Sequence, residues 1–336
     1  MPAANRTPAG LPAWLPPELA TLTKERFSNP AWIFERKLDG ERCLAYAEAG
    51  HNVRLMSRNQ HQITSTFPEV AAALAGQQSE GFIVDGEIVA FEGDETRFER
   101  LQQRLGVAAP TDALRAAVPV YYYLFDVLYA HGRDLRPLPL RDRKTELRSL
   151  LRFSGPLRFT EHRDTDGEAY YAQACRSGWE GLIAKRADAP YRAGRTKDWL
   201  KFKCESGQEF VIGGFTDPRG SRVGFGALLL GYYDPAGRLV YAGKVGTGFT
   251  DKLLHRLHEA MVGLERDTPP FEAGPLPSPR GHSGVHWIEP RLVGQVGFSE
   301  WTDAGELRHP RFQGLRDDKD ATEVVREVPS DAGPRP

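Results

Sequence analysis

A chain of 336 residues with a formal net charge of −1 is longer than one average domain, so two domains are expected. Its 40% hydrophobic and 26% charged content suits a globular protein with a sizeable core and excludes a disordered or collagen-like chain. No apolar run is long enough to span a bilayer, and no basic stretch followed by an apolar block opens the chain, so the expected address is the cytoplasm, away from membranes.

In chain order, residues 1–22 are rich in Pro and Ala, with Trp14 and Leu15 as anchors, and read as a loosely ordered lead-in. From Trp32 the pattern predicts a strand, a turn and a second strand through Tyr46, then a short strand over 53–57 and a helix over 68–74. Residues 82–91 read as two strand pieces on either side of the acidic turn Asp85-Gly86-Glu87. A helix over 97–105 precedes the aromatic and β-branched run 118–129, read as a buried strand. Apolar residues at helical spacing mark 140–151 and 168–176, and short strands at 179–184 and 199–203 flank a polar loop.

The composition shifts near Gly207. Short strands at 211–215, 227–233 and 239–245, a helix over 251–262, a Pro-rich connection over 268–279 and strands at 285–289 and 293–300 form the signature of a small barrel. The glycine run 243–248 lies between barrel strands, outside any βαβ unit, so it is read as a loop and not as a dinucleotide fingerprint. The fold class expected is α+β to about residue 205, then a β-barrel. Cys43, Cys175 and Cys204 have neither metal-knuckle nor disulfide-framework spacing and read as small, reduced, buried or half-buried thiols.

Lys37, in Glu35-Arg36-Lys37-Leu38-Asp39-Gly40, is uninformative alone, because surface lysines are common. Five further blocks follow in order: Ser57-Arg58-Asn59, Val84-Asp85-Gly86-Glu87, Tyr123-Leu124-Phe125-Asp126, the run from Glu180 to Lys185, and Trp199-Leu200-Lys201-Phe202-Lys203. The barrel adds the run from Gly243 to Phe249 and Arg316-Asp317-Asp318-Lys319. With these blocks, residues 20–322 resemble the covalent nucleotidyltransferase superfamily of ATP-dependent DNA ligases, RNA ligases and mRNA capping enzymes. The likeness is greatest to the ligase domain of bacterial end-joining ligase D and its stand-alone relatives.

The resemblance implies an adenylation (nucleotidyltransferase, ATP-grasp-like) domain of antiparallel sheets over 23–205, an OB-fold barrel over 208–325, a tail over 326–336 and a hinge near Ser206-Gly207. It implies an ATP-dependent DNA ligase that works through lysyl-AMP, with Lys37 as nucleophile. Nearby Lys201, Lys203, Arg42 and a divalent metal are expected to lower the amine pKa from its usual value of about 10. Lys201 and Lys203 alternate on one strand face and match α-phosphate contacts, and Lys185 a further nucleotide-binding lysine. Glu35 matches the reader of the adenine amino edge and Phe125 the ring that stacks on adenine. Arg42 and Arg58 match residues near the ribose and the nick phosphate.

Glu87 and Glu180 match metal-assisting carboxylates, with Asp39 as a third, and such hard oxygens suit Mg²⁺ or Mn²⁺. Arg316, Asp318 and Lys319 match a closing block that orients pyrophosphate. Seven Lys or Arg between Lys185 and Lys203, and a second cluster of Arg133, Arg136, Arg141, Arg143 and Lys144, are read as grips for a phosphate backbone despite the near-zero net charge.

The implied partners are nicked or broken double-stranded DNA and bacterial Ku, with the enzyme monomeric and nucleoid-associated. An RNA ligase or capping guanylyltransferase, a catalytically dead scaffold and an NAD-dependent ligase are the competing readings. Whether the chain stands alone or is one module of a longer protein is left open.

Overall fold

Alternating apolar residues and cross-strand pairing build two facing sheets in the first part of the chain. The computed structural model describes residues 11–48, 52–77, 81–204, 206–218, 220, 222–274, 284–316 and 319–328. The chain divides into two compact units, with the boundary between Cys204 and Glu205.

In the first unit, one sheet has five strands in the order Glu18–Leu22, Gly194–Lys203, Gly181–Arg186, Trp32–Arg36 and His162–Asp164. The other is built on Val53–Ser57, Glu41–Ala47, Phe82–Glu92 and Val120–Ala130, hydrogen-bonded in that order. Most pairings are antiparallel. Because side chains alternate across a strand, each sheet has two apolar faces to cover. Leu44, Tyr46, Ile83 and Phe125 of the larger sheet meet Trp199 of the smaller one and Tyr191 of the connection that precedes Gly194–Lys203. The far side of the larger sheet packs on Phe67, at the N-cap of the helix Pro68–Ala75, on Val70 and Leu74 of that helix, and on Phe98 and Leu101 of the helix Phe98–Gln102. The far side of the smaller sheet, with Phe34, Leu182 and Phe202, packs on Tyr170 and Ala174 of the helix Gly167–Arg176.

Several expectations change. The stretch 1–22 is not all lead-in: Glu18–Leu22 is a strand running parallel to Gly194–Lys203, and Leu15 is buried. Leu15 N donates to Tyr46 Oη and Glu18 N to Tyr191 Oη, each at 2.9 Å, so tertiary hydrogen bonds order a segment whose local sequence gives no strand signal. Residues 82–91 form one continuous strand, Phe82–Glu92, since the Asp85-Gly86-Glu87 step is absorbed by bulges against Val120–Ala130. A helix at Asp112–Ala117, capped by Thr111, was not expected from the sequence. Cys175 and Cys204 form a disulfide, with Cα atoms 5.3 Å apart, between the Gly167–Arg176 helix and the end of Gly194–Lys203. Only Cys43 remains a free, buried thiol, so the reading of three reduced cysteines is corrected. Packing of helix on sheet brings that pair together, which spacing along the chain does not reveal.

The second unit is a curved sheet. Its strands run Leu239–Val245, Leu228–Tyr233, Ser206–Thr216, Val285–Phe298 and Glu265–Arg266, with Arg311–Leu315 also on Val285–Phe298. The two strands expected at 285–289 and 293–300 are one, and Gly207 lies inside a strand. A register shift between Ile212 and Gly214 bends the sheet around Phe210, Leu230, Val245 and Phe312, and Thr250 caps the helix Asp251–Val262 that packs beside it. This is the OB-fold. Among the described residues no helix is long and apolar enough to cross a membrane.

Buried charge is concentrated in the first unit. Asp126 and Arg143, both 0% exposed, form two parallel bonds of 2.7 and 2.8 Å. Removing one partner of such a pair strands the other charge in a low dielectric. Asp126→Asn is therefore expected to destabilise the first unit by about 3–5 kcal/mol, read from urea unfolding followed by tryptophan fluorescence.

Candidate active site

Lys37 stands just beyond the strand Trp32–Arg36, and its N donates to Gly181 O at 2.9 Å. Residues opposite one another in antiparallel strands share a face. Glu35, Ile183 and Lys201 therefore form one row across the smaller sheet, and Ile33, Lys185 and Trp199 a second. The third row runs from Lys37 through Gly181 to Lys203. Gly181 contributes no side chain, so nothing from the central strand stands between the two lysines of that row. A Cβ there would overlap the Phe202 carbonyl oxygen, and φ is +146°.

Lys37 Nζ meets Glu180 Oε2 at 2.5 Å, and the two side chains are 19% and 28% exposed. Burial works against the ammonium charge. Glu180 outweighs it, with help from Asp39 and Glu87, and the net effect holds Lys37 above the ordinary lysine value. The expected depression by Lys201, Lys203 and Arg42 is thus corrected: carboxylates dominate the surroundings of this amine, and Arg42 is committed to Asp85 through bonds of 2.6 and 2.7 Å.

The opposite wall is the larger sheet. Arg42, Glu87 and Tyr123 lie in register on three neighbouring strands. The Arg42 guanidinium covers the Phe125 ring at 4.7 Å and the Trp199 ring at 5.5 Å. Asp85 holds Arg42 and also accepts from Tyr191 Oη at 2.6 Å. Phe125 and Trp199 touch edge to face at 5.9 Å, closing the cleft at one end.

Glu35 lies on the floor of the cleft. Both it and Lys144 are 2% exposed; Oε1 meets Lys144 Nζ at 2.5 Å and Oε2 meets Lys185 Nζ at 2.6 Å. Burial alone would raise the carboxyl pKa, but Lys144 and then Lys185 outweigh it and lower the value. Lys185 lies over Phe125 and Trp199 at 4.0 and 3.9 Å, and its pKa is lowered, chiefly by burial.

The structure places Glu35, Arg42, Glu87, Phe125, Lys185, Lys201 and Lys203 on two facing sheets of one unit, with Lys37 and Glu180 just beyond strand ends. Arg58 follows the edge strand Val53–Ser57 and is half-buried. Arg316 and Lys319 belong to the second unit, where Lys319 Nζ meets Glu209 Oε2 at 3.2 Å; Asp318 lies outside the described residues. Asp39 Oδ2 accepts from Phe98 N at 3.1 Å. Among the described residues no three His, Cys, Asp or Glu side chains form a metal-binding group. Glu180 and Glu87 supply two hard oxygen donors, which fits Mg²⁺ or Mn²⁺ completed by phosphate oxygens and water.

Neither expected basic cluster is a continuous cationic face. Arg143 and Lys144 are buried on Asp126 and Glu35, while Arg136 pairs with Asp134 and Arg141 with Asp164. In the other run Lys185 is buried, and Arg192 pairs with Asp198. Sequence reasoning missed Lys144, Arg143, Asp85, Asp126 and Tyr191 as site-building residues. A signal was present: Asp85 and Asp126 interrupt apolar strands, and Arg143 and Lys144 fall on the same helical stripe as Leu140 and Leu147.

Two facing sheets with a lysine in the cleft, followed by an OB-fold, define the nucleotidyltransferase class of fold. Residues 17–203 match the family model described as ATP dependent DNA ligase domain, and residues 221–319 match the ATP dependent DNA ligase C terminal region. The chain belongs to the ATP-dependent DNA ligase family. It is 40% identical over 340 residues to the multifunctional non-homologous end joining protein LigD of Pseudomonas aeruginosa, covering 99% of this chain and 39% of that protein. A DNA ligase of Thermococcus onnurineus is 34% identical over 308 residues, covering 87% of this chain and 52% of that protein. The structure of mycobacterial DNA ligase D complexed with ATP and MES is similar at a TM-score of 0.67 and 36% identity, covering 93% of this chain and 98% of that one. The chain therefore spans about two fifths of the length of its LigD relative and about half that of the archaeal ligase.

Gly181 keeps the floor of the cleft clear and its carbonyl holds the Lys37 backbone. Gly181→Ala is expected to cost about 2 kcal/mol or more and to slow any chemistry at Lys37 by at least about tenfold. Thermal unfolding and single-turnover labelling check the two effects.

Proposed function

We propose that the chain seals nicks in double-stranded DNA by ATP-dependent ligation through a lysyl-AMP intermediate. The observation that carries this reading is the placement of Lys37 Nζ on Glu180 beside a sheet face bearing Lys201 and Lys203. In the first step Lys37 Nζ, as a free amine, attacks the α-phosphorus of ATP; an N–P bond forms and pyrophosphate leaves. Next the 5′-phosphate of the nick attacks that phosphorus and the N–P bond breaks, giving DNA-adenylate. The 3′-hydroxyl then attacks the 5′-phosphorus, and AMP leaves.

Lys201 and Lys203 stabilise charge on the α-phosphate, Phe125 and Glu35 take the adenine, and Arg42 and Arg58 serve the ribose and then the nick phosphate. Glu180 and Glu87 would hold Mg²⁺ or Mn²⁺, which would supply positive charge to the phosphates and weaken the hold of these carboxylates on the Lys37 ammonium. Arg316, Asp318 and Lys319 orient pyrophosphate for the first step. The likeness to non-homologous end joining proteins supports work at broken DNA ends; bacterial Ku is the proposed partner there and the nucleoid the proposed location.

Incubation with ATP labelled at the α-phosphate tests the reading. Wild type is expected to carry a covalent AMP label, and Lys37→Ala to lose nick sealing by at least about a thousandfold. A covalent GMP adduct with no AMP adduct, or a Lys37→Ala protein that still seals, contradicts it. A double substitution of Arg316 and Lys319 by Ala is expected to slow self-adenylation by about tenfold or more while sparing the sealing of a pre-adenylated nick. Equal losses in both assays contradict the pyrophosphate role.

A further inference from the structure

The two ammonium groups on Glu35 are not equivalent. Lys144 comes from the helix Leu140–Leu150 and is tied at two fixed points: Glu35 Oε1 at 2.5 Å and the Thr160 carbonyl at 3.0 Å, both as aligned hydrogen bonds. Lys185 comes from the neighbouring strand. Its Nζ is 2.6 Å from Glu35 Oε2 but has no aligned hydrogen-bond acceptor, and it rests on the Phe125 and Trp199 rings. His162 lies directly opposite Glu35 in the adjoining strand, and its buried Nδ1 has no partner. One carboxylate is thus shared between two buried cations, one with a second anchor in a backbone carbonyl and one that rests on aromatic rings.

We propose that Lys144 is a positioning residue for base selection: it fixes the Glu35 carboxylate as an acceptor, so that the cleft favours a purine with a 6-amino group over one with a 6-oxo group. This rests on the reading above, in which Glu35 and Phe125 receive the base. A carboxylate accepts from an exocyclic amine and repels a carbonyl oxygen, so its orientation decides the preference. A base entering against Phe125 competes with Lys185 for that ring and not with Lys144. Lys185 can yield while Lys144 keeps the carboxylate in place. Without Lys144, Glu35 is left in a buried position with one cation, and both of its oxygens turn to Lys185. The acceptor is then lost to the base, although Lys37, Lys201 and Lys203 are untouched.

The test compares wild type, Lys144→Met and Lys144→Arg in single-turnover formation of the covalent nucleotide adduct, with ATP and with GTP. Lys144→Met is expected to raise the ATP concentration at half-maximal rate by about tenfold or more, and to cut the ATP-over-GTP preference by a similar factor. Its rate at saturating ATP should stay within about threefold of wild type. Lys144→Arg, which keeps the charge, is expected to recover most of the preference. The preference is a ratio measured within one protein, so a fraction of unfolded enzyme cancels. An unchanged preference in Lys144→Met, or a fall in saturating rate with the preference intact, overturns the inference while leaving Lys37 chemistry in force. Failure of both variants to reach a native circular dichroism spectrum also overturns it, since it makes Lys144 a structural staple. Wild type that forms no adduct with either nucleotide overturns the underlying reading as well.

Discussion

Three acidic side chains set into apolar strands, Glu35, Asp85 and Asp126, shape the first unit, because each must find a cation before the surrounding sheet can be buried. Glu35 takes Lys144 and Lys185, Asp85 takes Arg42 with help from Tyr191, and Asp126 takes Arg143. The partners come from other elements, so satisfying these charges docks the helix Leu140–Leu150 and joins the two sheets through residues that line the cleft. The same contacts hold Phe125, Trp199 and Arg42 against one another. Stability and site geometry rest on one network. The network places charge in a dry interior already paired.

Lys37 is the exception. Its partner Glu180 is partly exposed, and the acidic residues nearby favour the protonated amine, which cannot attack phosphorus. Under the proposed function, Glu180 and Glu87 would hold a divalent cation whose positive charge would compete with the Lys37 ammonium for them, linking activation of the amine to arrival of its substrate. The same carboxylates would then both pair with the lysine and hold the metal.

Much of this was legible in the sequence because strand signals and motif order reinforce each other. The barrel helix Asp251–Val262 was expected with these bounds, as was the strand Val53–Ser57. The alternation that puts Lys201 and Lys203 on one face follows from the period of a strand. What was not legible depends on contacts distant in sequence. The strand Glu18–Leu22 is ordered by Tyr191 and Tyr46, and Cys175 meets Cys204 only once helix and sheet have packed. The count of basic residues misled for the same reason: Arg143 and Lys144 look like a phosphate grip on paper, yet each is buried on a carboxylate from an earlier strand. Their place on the apolar stripe of the helix was the sign that they face inward.

The central claim is that the amine guarded by Glu180 becomes the carrier of AMP. It is tested most directly by peptide mass spectrometry of the wild-type protein after reaction with ATP and a divalent cation, before and after addition of pyrophosphate. The account predicts a single AMP on the peptide containing Lys37, removed when pyrophosphate is added. AMP on any other residue, or no covalent AMP in a preparation that seals nicked DNA, would contradict it.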